Sequence, residues 1–395
     1  MAHLTARWIA DGHVPRAPET AFLTPGTSLW GCGRALQIDL PAPWPDHVGM
    51  ITEVLAGIEV ADAARIDDAT VAGPVAFAAL PYDRDAPASF VVPALLTVRS
   101  IAGTCASISF DGVTDDDRAP LPLPPGVRFD AVTDPAVWCA TVETATAAIR
   151  QGEFTKVVLA RELVATASGD FDPTSVLERF AHAHPGALTY LVDGFVGASP
   201  ELLVARTGDV VRAQPMAGTT PRTGDATVDD AAAQELLRSE KNRAEHQITI
   251  DVVHDALLGW CSYLDAEPSP VVVPAGPVQH LATKVEGRLS HPLPSVLDMV
   301  AALHPTPAVG GWPVGAALAA QRRLEPNDRG RYGGPVGWVD ASGNGSFAVG
   351  IRGAQLAGNT ARLFAGVGVV ADSDPASELA ETEAKFRAAI SALTA

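Results

Sequence analysis

Residues 154–161, Phe-Thr-Lys-Val-Val-Leu-Ala-Arg, restrict the possible folds more than any other stretch of the chain. Read with the two-residue period of a strand, Phe154, Lys156, Val158 and Ala160 share one face, and Thr155, Val157, Leu159 and Arg161 the other. Both faces are largely apolar, so the pattern predicts a strand covered on both sides rather than a solvated edge. Such a strand does not easily hold Lys156. Its ammonium must pair with a carboxylate, reach water along its own stem, or lose its proton. The first two outcomes make it a structural cation, and the third makes it a base.

At 395 residues and 47% hydrophobic, the chain can bury a large core around this strand. Its net charge of -18, with no basic run, argues against a nucleic-acid partner, because phosphate contacts need clustered Lys and Arg. That acidity does not set the sign of a local site. Cys32, Cys105, Cys139 and Cys261 include no CxxC pair, which predicts buried thiols rather than a disulfide framework or zinc site. No run of 18 apolar residues occurs, and Met1 to Arg16, interrupted by Asp11, Gly12 and Pro15, lacks the apolar segment of a leader. A cytoplasmic location without membrane association is expected.

Residues 1–130 read as short strands and turns, with helical spacing over about 46–64 and an acidic, proline-rich loop over 111–125. Asp134-Pro135 fits the start of a helix running to about Arg150 and closed by Gly152; a second helix follows Pro173. Strand patterns follow at 188–192, 195–198, 202–205 and 210–213, then a long helical stretch over 231–264. Strand-like segments at 279–281 and 284–289 precede a loop containing His304 to Ala308. Strands at 334–340, 346–356 and 362–371 are separated by turn residues at 342–345 and 358–359, and a last helix runs from Ser373 to about Leu393. Strands joined by hairpins and mixed with helices, without regular βαβ units or a visible internal repeat, predict an α+β fold.

Several constellations have both a bland and a chemical reading. Glu378, Glu381 and Lys385 fall on one face of the last helix, beside the apolar stripe of Leu379, Phe386, Ile390 and Leu393. They are either a solvated ion pair or the wall of a site. The low bulk of Phe364-Ala365-Gly366-Val367-Gly368 lets a ligand approach the backbone, or lets strands pack tightly; it is no dinucleotide fingerprint. Arg352 is flanked on its own strand face by Ala348, Gly350 and Ala354, which leaves room for a carboxylate ligand or an internal acid. Lys241 and Glu245 can pair as i,i+4 neighbours, and Glu201 follows Ser199-Pro200 at a tight turn. Glu245 and Glu381, on two helices, can together hold magnesium, which takes one or two carboxylates plus substrate oxygens and water.

Taken in order, these motifs resemble the chorismate-utilising enzymes, a family that includes isochorismate synthases, salicylate synthases and the large subunits of anthranilate synthase. The matching residues are 154–161, Gly197 to Leu203, Ala217-Gly218-Thr219, Ser239 to His246 and Gln279 to Thr283. The match continues through His304 to Pro307, Leu324 to Arg329, Tyr332 to Gly334, Phe364 to Gly366 and Glu381 to Lys385. It is dense over 135–395 and thinner over 1–130, where Thr24-Pro25 to Gly33 and Leu80 to Asp83 are anchors.

The resemblance implies one α+β chorismate-binding domain over 1–395, with 135–395 the catalytic core and 1–130 more divergent. Two similar halves with antiparallel sheets would enclose the site, helices outside. Glu245 and Glu381 would bind magnesium, with Glu378 in or near that shell. Arg352 and Tyr332 would receive the enolpyruvyl carboxylate. The Ala365-Gly366 backbone and Lys385 would lie along the substrate carboxylates, and Val309 would pack against the substrate. Lys156 would be the base that activates water and Glu201 the acid that protonates the departing hydroxyl.

Anthranilate synthases carry glutamine at the Lys156 position, and aminodeoxychorismate synthases carry a nucleophilic lysine at the Ala217 position. The His-Pro start of the 304–308 loop resembles isochorismate synthases, whereas salicylate and anthranilate synthases usually begin it Phe-Pro. The expected activity is therefore an isomerase, a magnesium-dependent isochorismate synthase. Its product would feed menaquinone or catechol siderophore synthesis. A monomer with no obligate amidotransferase partner is expected. A salicylate synthase, which goes on to eliminate pyruvate, is the nearest alternative, and a non-catalytic chorismate-binding subunit is the alternative from another class.

Overall fold

The computed structural model describes residues 5–10, 14–61, 71, 73–100, 103–110 and 118–394. Parts of the expectations above lie outside the described residues: 1–4, 11–13, 62–64, Ile101 and 111–117. Among the described residues, eight α-helices flank two large sheets. They are α1 (Gly49–Ala56), α2 (Pro135–Arg150), α3 (Pro173–Ala183), α4 (Ala226–Arg238), α5 (Glu240–Leu258), α6 (Val296–Leu303), α7 (Val314–Leu324) and α8 (Pro375–Leu393). None is long and apolar enough to cross a membrane.

The lysine strand spans Lys156–Thr166 and pairs antiparallel over ten residues with Thr360–Val369. From this pair the larger sheet continues through Gly353–Ala357, Phe195–Ser199 and Leu188–Val192 to Thr20–Leu23, Ser28–Cys32 and the remaining N-terminal strands. The second sheet includes Val210–Gln214, Leu202–Thr207, Gly345–Val349 and Pro335–Asp340, and continues into Val75–Ala79, Ala88–Val92 and Leu36–Leu40. A three-stranded sheet, Met216–Pro221, Val278–Ala282 and Val271–Ala275, stands apart. The pairing is antiparallel apart from Thr5–Ala10 with Glu59–Ala61. N-terminal strands thus extend both large sheets. The architecture is α+β, as expected.

One core cluster lies between the two sheets and includes Phe22, Phe77, Tyr190 and Phe347. The outer face of the larger sheet is covered by Val176, Leu177 and Phe180 of α3 and by Phe386, Ala389 and Leu393 of α8. A third cluster packs Val142 and Ile149 of α2, and Ala317 and Ala320 of α7, on Val157, Leu159, Val367 and Val369. The lysine strand is covered on both faces, as its composition requires.

Helix starts follow local chemistry. The Asp134 carboxylate accepts from Ala136 N–H with Pro135 behind it, and Asp172 and Asp374 cap α3 and α8 in the same way. Two expectations are corrected. The helical stretch over 231–264 is two helices and a strand. Ser239 leaves the helical conformation and caps α5 by accepting from Asn242 N–H, and Gly259 ends that helix before the strand Cys261–Ala266. The strand expected over 346–356 is also two, broken at Arg352, whose φ of 57° no strand residue adopts. There the chain leaves the second sheet after Val349 and enters the larger one at Gly353.

Candidate active site

The pleat of the lysine strand sorts its side chains. Val157 and Leu159 enter the core beneath α2 and α7, while Lys156 and Val158 line a cavity of about 300 Å³ between the sheets. The partner strand is sorted in the same way: Gly366 and Gly368 line the cavity. Ala365, expected beside the substrate, is buried in the opposite core with Phe386. It can reach the cavity by its backbone alone. Glu201, Glu245, Val309, Tyr332, Arg352, Glu378, Glu381 and Lys385 all line the same space. The fold therefore brings together residues that are scattered over more than 200 positions of sequence.

Lys156 is 4% exposed, and its Nζ lies 2.7 Å from Glu245 Oε1. Of the alternatives open in the sequence, the carboxylate pair is the one present. Glu245 was a possible i,i+4 partner of Lys241 but reaches across to the strand instead. Burial pushes the Glu245 carboxyl up, but Lys156, Lys385 and Lys241 outweigh it and hold the group below its ordinary value. Gly368 is what makes the room: a Cβ there would meet Lys156 Cε at 2.8 Å.

Glu201 is buried at the mouth of the Leu202–Thr207 strand, its N–H donating to Ser199 Oγ at 3.2 Å. Burial raises its carboxyl from 4.5 to about 8, against opposing contributions from a Met216 backbone hydrogen bond, Lys156 and Arg352. The group is thus a proton donor at neutral pH, in the same cavity as a lysine.

Arg352 projects into the cavity from the left-handed break between the sheets and is 8% exposed. Its Nη2 donates to His280 Nε2 at 3.0 Å. Burial holds His280 well below its usual range, with the nearby Arg352 and Lys385 charges acting in the same sense. A guanidinium can only donate, so Nε2 accepts and the proton sits on Nδ1. There it faces Thr219 Oγ1 at 3.1 Å and Gly218 O at 3.2 Å. Lys385 Nζ lies 2.6 Å from Glu381 Oε1 and donates to Gly366 O at 2.9 Å. Burial raises Tyr332, which also hydrogen-bonds the Gly366 backbone.

Besides Glu201, three acids line the cavity, and two of these are paired with lysines, Glu245 with Lys156 and Glu381 with Lys385. Glu378 is raised by burial and further by the negative charge of Glu381, against a Ser373 hydrogen bond and the positive charges of Lys385 and Lys241. Among the described residues, no three His, Cys, Asp or Glu side chains converge closely enough to hold a metal unaided. Magnesium takes one or two carboxylates and fills its shell with ligand oxygens and water, so it would need Glu245 and Glu381 to turn from their lysine partners.

The sequence quoted two parts of the site without assigning them a role. One is His280. The other is the pair of a partly buried Glu325 and a buried Arg329, in which Arg329 donates to Val309 O at 2.9 Å and Val158 O at 2.8 Å, while Glu325 accepts from Ala160 N–H at 2.8 Å. Their i,i+4 spacing was visible, but an exposed pair looks the same in sequence.

Residues 113–394 match the family model described as "Chorismate binding enzyme". The chain is 41% identical over 260 residues to isochorismate synthase MenF of Bacillus subtilis, a match covering 65% of this chain and 55% of that protein. It is 36% identical over 331 residues to isochorismate synthase DhbC of the same organism, covering 81% of each. The solved structure of the menaquinone-specific isochorismate synthase MenF from Escherichia coli superposes with a TM-score of 0.82 at 21% identity. That superposition covers all of this chain and 96% of the other, a likeness of fold.

Proposed function

The chain belongs to the chorismate binding enzyme family, and we propose that it converts chorismate reversibly to isochorismate. The observation that carries this reading is one cavity holding both Lys156 and a Glu201 carboxyl raised to about 8. Water is a poor nucleophile and hydroxide a poor leaving group, so the exchange needs a base and an acid on the same substrate.

A water oxygen bonds to ring C2 while Lys156 takes its proton, a step that requires the amine to have given up its own first. The C4–O bond breaks, the ring double bonds shift, and Glu201 delivers its proton so that the departing hydroxyl leaves as water. To act as base, Lys156 must leave its ion pair with Glu245. Arg352, held by neutral His280, and Tyr332 bind the enolpyruvyl carboxylate. Lys385 and the Gly366 backbone lie along the substrate carboxylates, and Val309 packs against it. Glu245 and Glu381 would hold magnesium, with Glu378 beside them, in exchange for their lysine partners. When bound, the ion offsets the charge of the substrate's ring carboxylate.

Because the nucleophile is water rather than ammonia, no amidotransferase partner is needed, and the chain acts as a cytoplasmic monomer. Whether the product enters menaquinone or a catechol siderophore is set by other enzymes. Purified protein incubated with chorismate and magnesium, its products resolved by chromatography, should yield isochorismate in equilibrium with chorismate. Salicylate plus pyruvate, or binding without turnover, would overturn the proposal.

A further inference from the structure

A second cavity, of about 460 Å³, lies behind Arg352. Arg352 and Pro200 border both cavities and form the partition between them. The rear one is lined by Arg352, Arg222 and His184 and by no Asp or Glu, on a chain whose net charge is -18. Its remaining walls are mostly apolar, among them Ala183, Ala198, Val273 and Ala388.

Two buried guanidinium Nε atoms lack a hydrogen-bond partner among the described residues, Arg222 Nε and Arg352 Nε, and both residues line this cavity. Arg222 Nε lies 3.3 Å from Asp229 Oδ2 without hydrogen-bond alignment. Asp229 in turn accepts from Thr223 N–H at 2.7 Å and Gly224 N–H at 3.3 Å, so its charge is shared. Arg352 has no ion pair with an acid among the described residues; its side-chain partner is His280. A buried Nε–H left unpaired costs free energy that a carboxylate would recover. His184, a half-buried ring facing the same space, supplies a further polar contact.

We infer that this rear cavity is a second ligand site, which takes a small carboxylate with an apolar body on Arg222, Arg352 and His184. Its volume suits a ligand of benzoate size. The inference goes beyond the chorismate reaction, and probe binding without chorismate, compared between wild type and the variants, reads it apart from turnover.

The test is a ¹⁹F NMR titration of the full chain with 4-fluorobenzoate, with and without saturating chorismate. Saturable binding that persists beside chorismate is expected. Arg222→Gln and His184→Ala should each weaken it tenfold or more while leaving chorismate conversion within about twofold. Circular dichroism reports whether each variant is folded, and His184→Ala, a half-buried ring just past the end of α3, carries the test if Arg222→Gln fails to fold. Complete displacement of the probe by chorismate, binding indifferent to both substitutions, or no saturable binding would overturn the inference.

Discussion

The Lys156 ammonium and the Glu245 carboxylate meet at 2.7 Å, tying the lysine strand to α5 across the cavity. One contact therefore joins the proposed base to an acid proposed for the cation site. On the proposed mechanism Lys156 and the cation would draw on the same carboxylate, so Lys156 would be released when Glu245 takes another partner.

Lys156→Ala should lower kcat about 10²–10⁴-fold, the usual contribution of a positioned base. Chorismate affinity, read by direct binding, should change little. Near wild-type turnover in this variant would remove Lys156 from the mechanism.

Glu201→Gln should abolish proton delivery in the same range, and the wild-type rate should fall as pH rises past about 8, where the carboxyl ionises. Linkage gives a second readout. The folded group keeps its proton between its unfolded value near 4.5 and about 8, so its stabilising contribution is complete below 4.5 and is lost as pH climbs to about 8. Chemical denaturation should show wild-type stability declining across that window by up to about 1.4 kcal/mol per pH unit from this group. The decline should be absent in Glu201→Gln.

Gly368→Ala places a methyl 2.8 Å from Lys156 Cε. The obstacle is the end of a flexible side chain, so the fold should tolerate it with a change in stability below about 1 kcal/mol. The displaced amine should cost at least about tenfold in kcat, a separation of activity from stability that a thermal melt and a rate assay together detect.

Chelation of divalent cations should stop turnover, and added magnesium should restore it. Glu381→Gln should weaken magnesium binding at least about tenfold by calorimetry. Unchanged magnesium affinity would exclude Glu381 as a ligand.

Arg329→Ala strands the partly buried Glu325 carboxylate and removes the donors to Val158 O and Val309 O. A loss of about 3–5 kcal/mol in urea unfolding is expected. A loss below 1 kcal/mol would show that the pair does not hold this wall of the site.

Much of this protein was determined by the sequence alone. Period-two patterning predicted the strand that carries Lys156, and Asp134-Pro135 and Pro173 marked the starts of α2 and α3, because pleat, φ restriction and capping act over a few residues. The ordered motifs were enough to suggest the family. Local patterning could not show where a run breaks. Ser239 interrupts a helical stretch because its hydroxyl caps the next helix, and Arg352 interrupts a strand because the chain changes sheets there. Nor could sequence choose partners. Glu245 had Lys241 four residues away and took Lys156 instead, eighty-nine residues distant, and His280 was a motif letter until Arg352 fixed its tautomer. Charge pairing and burial depend on distances through space, and those exist only once two sheets have closed around the cavity.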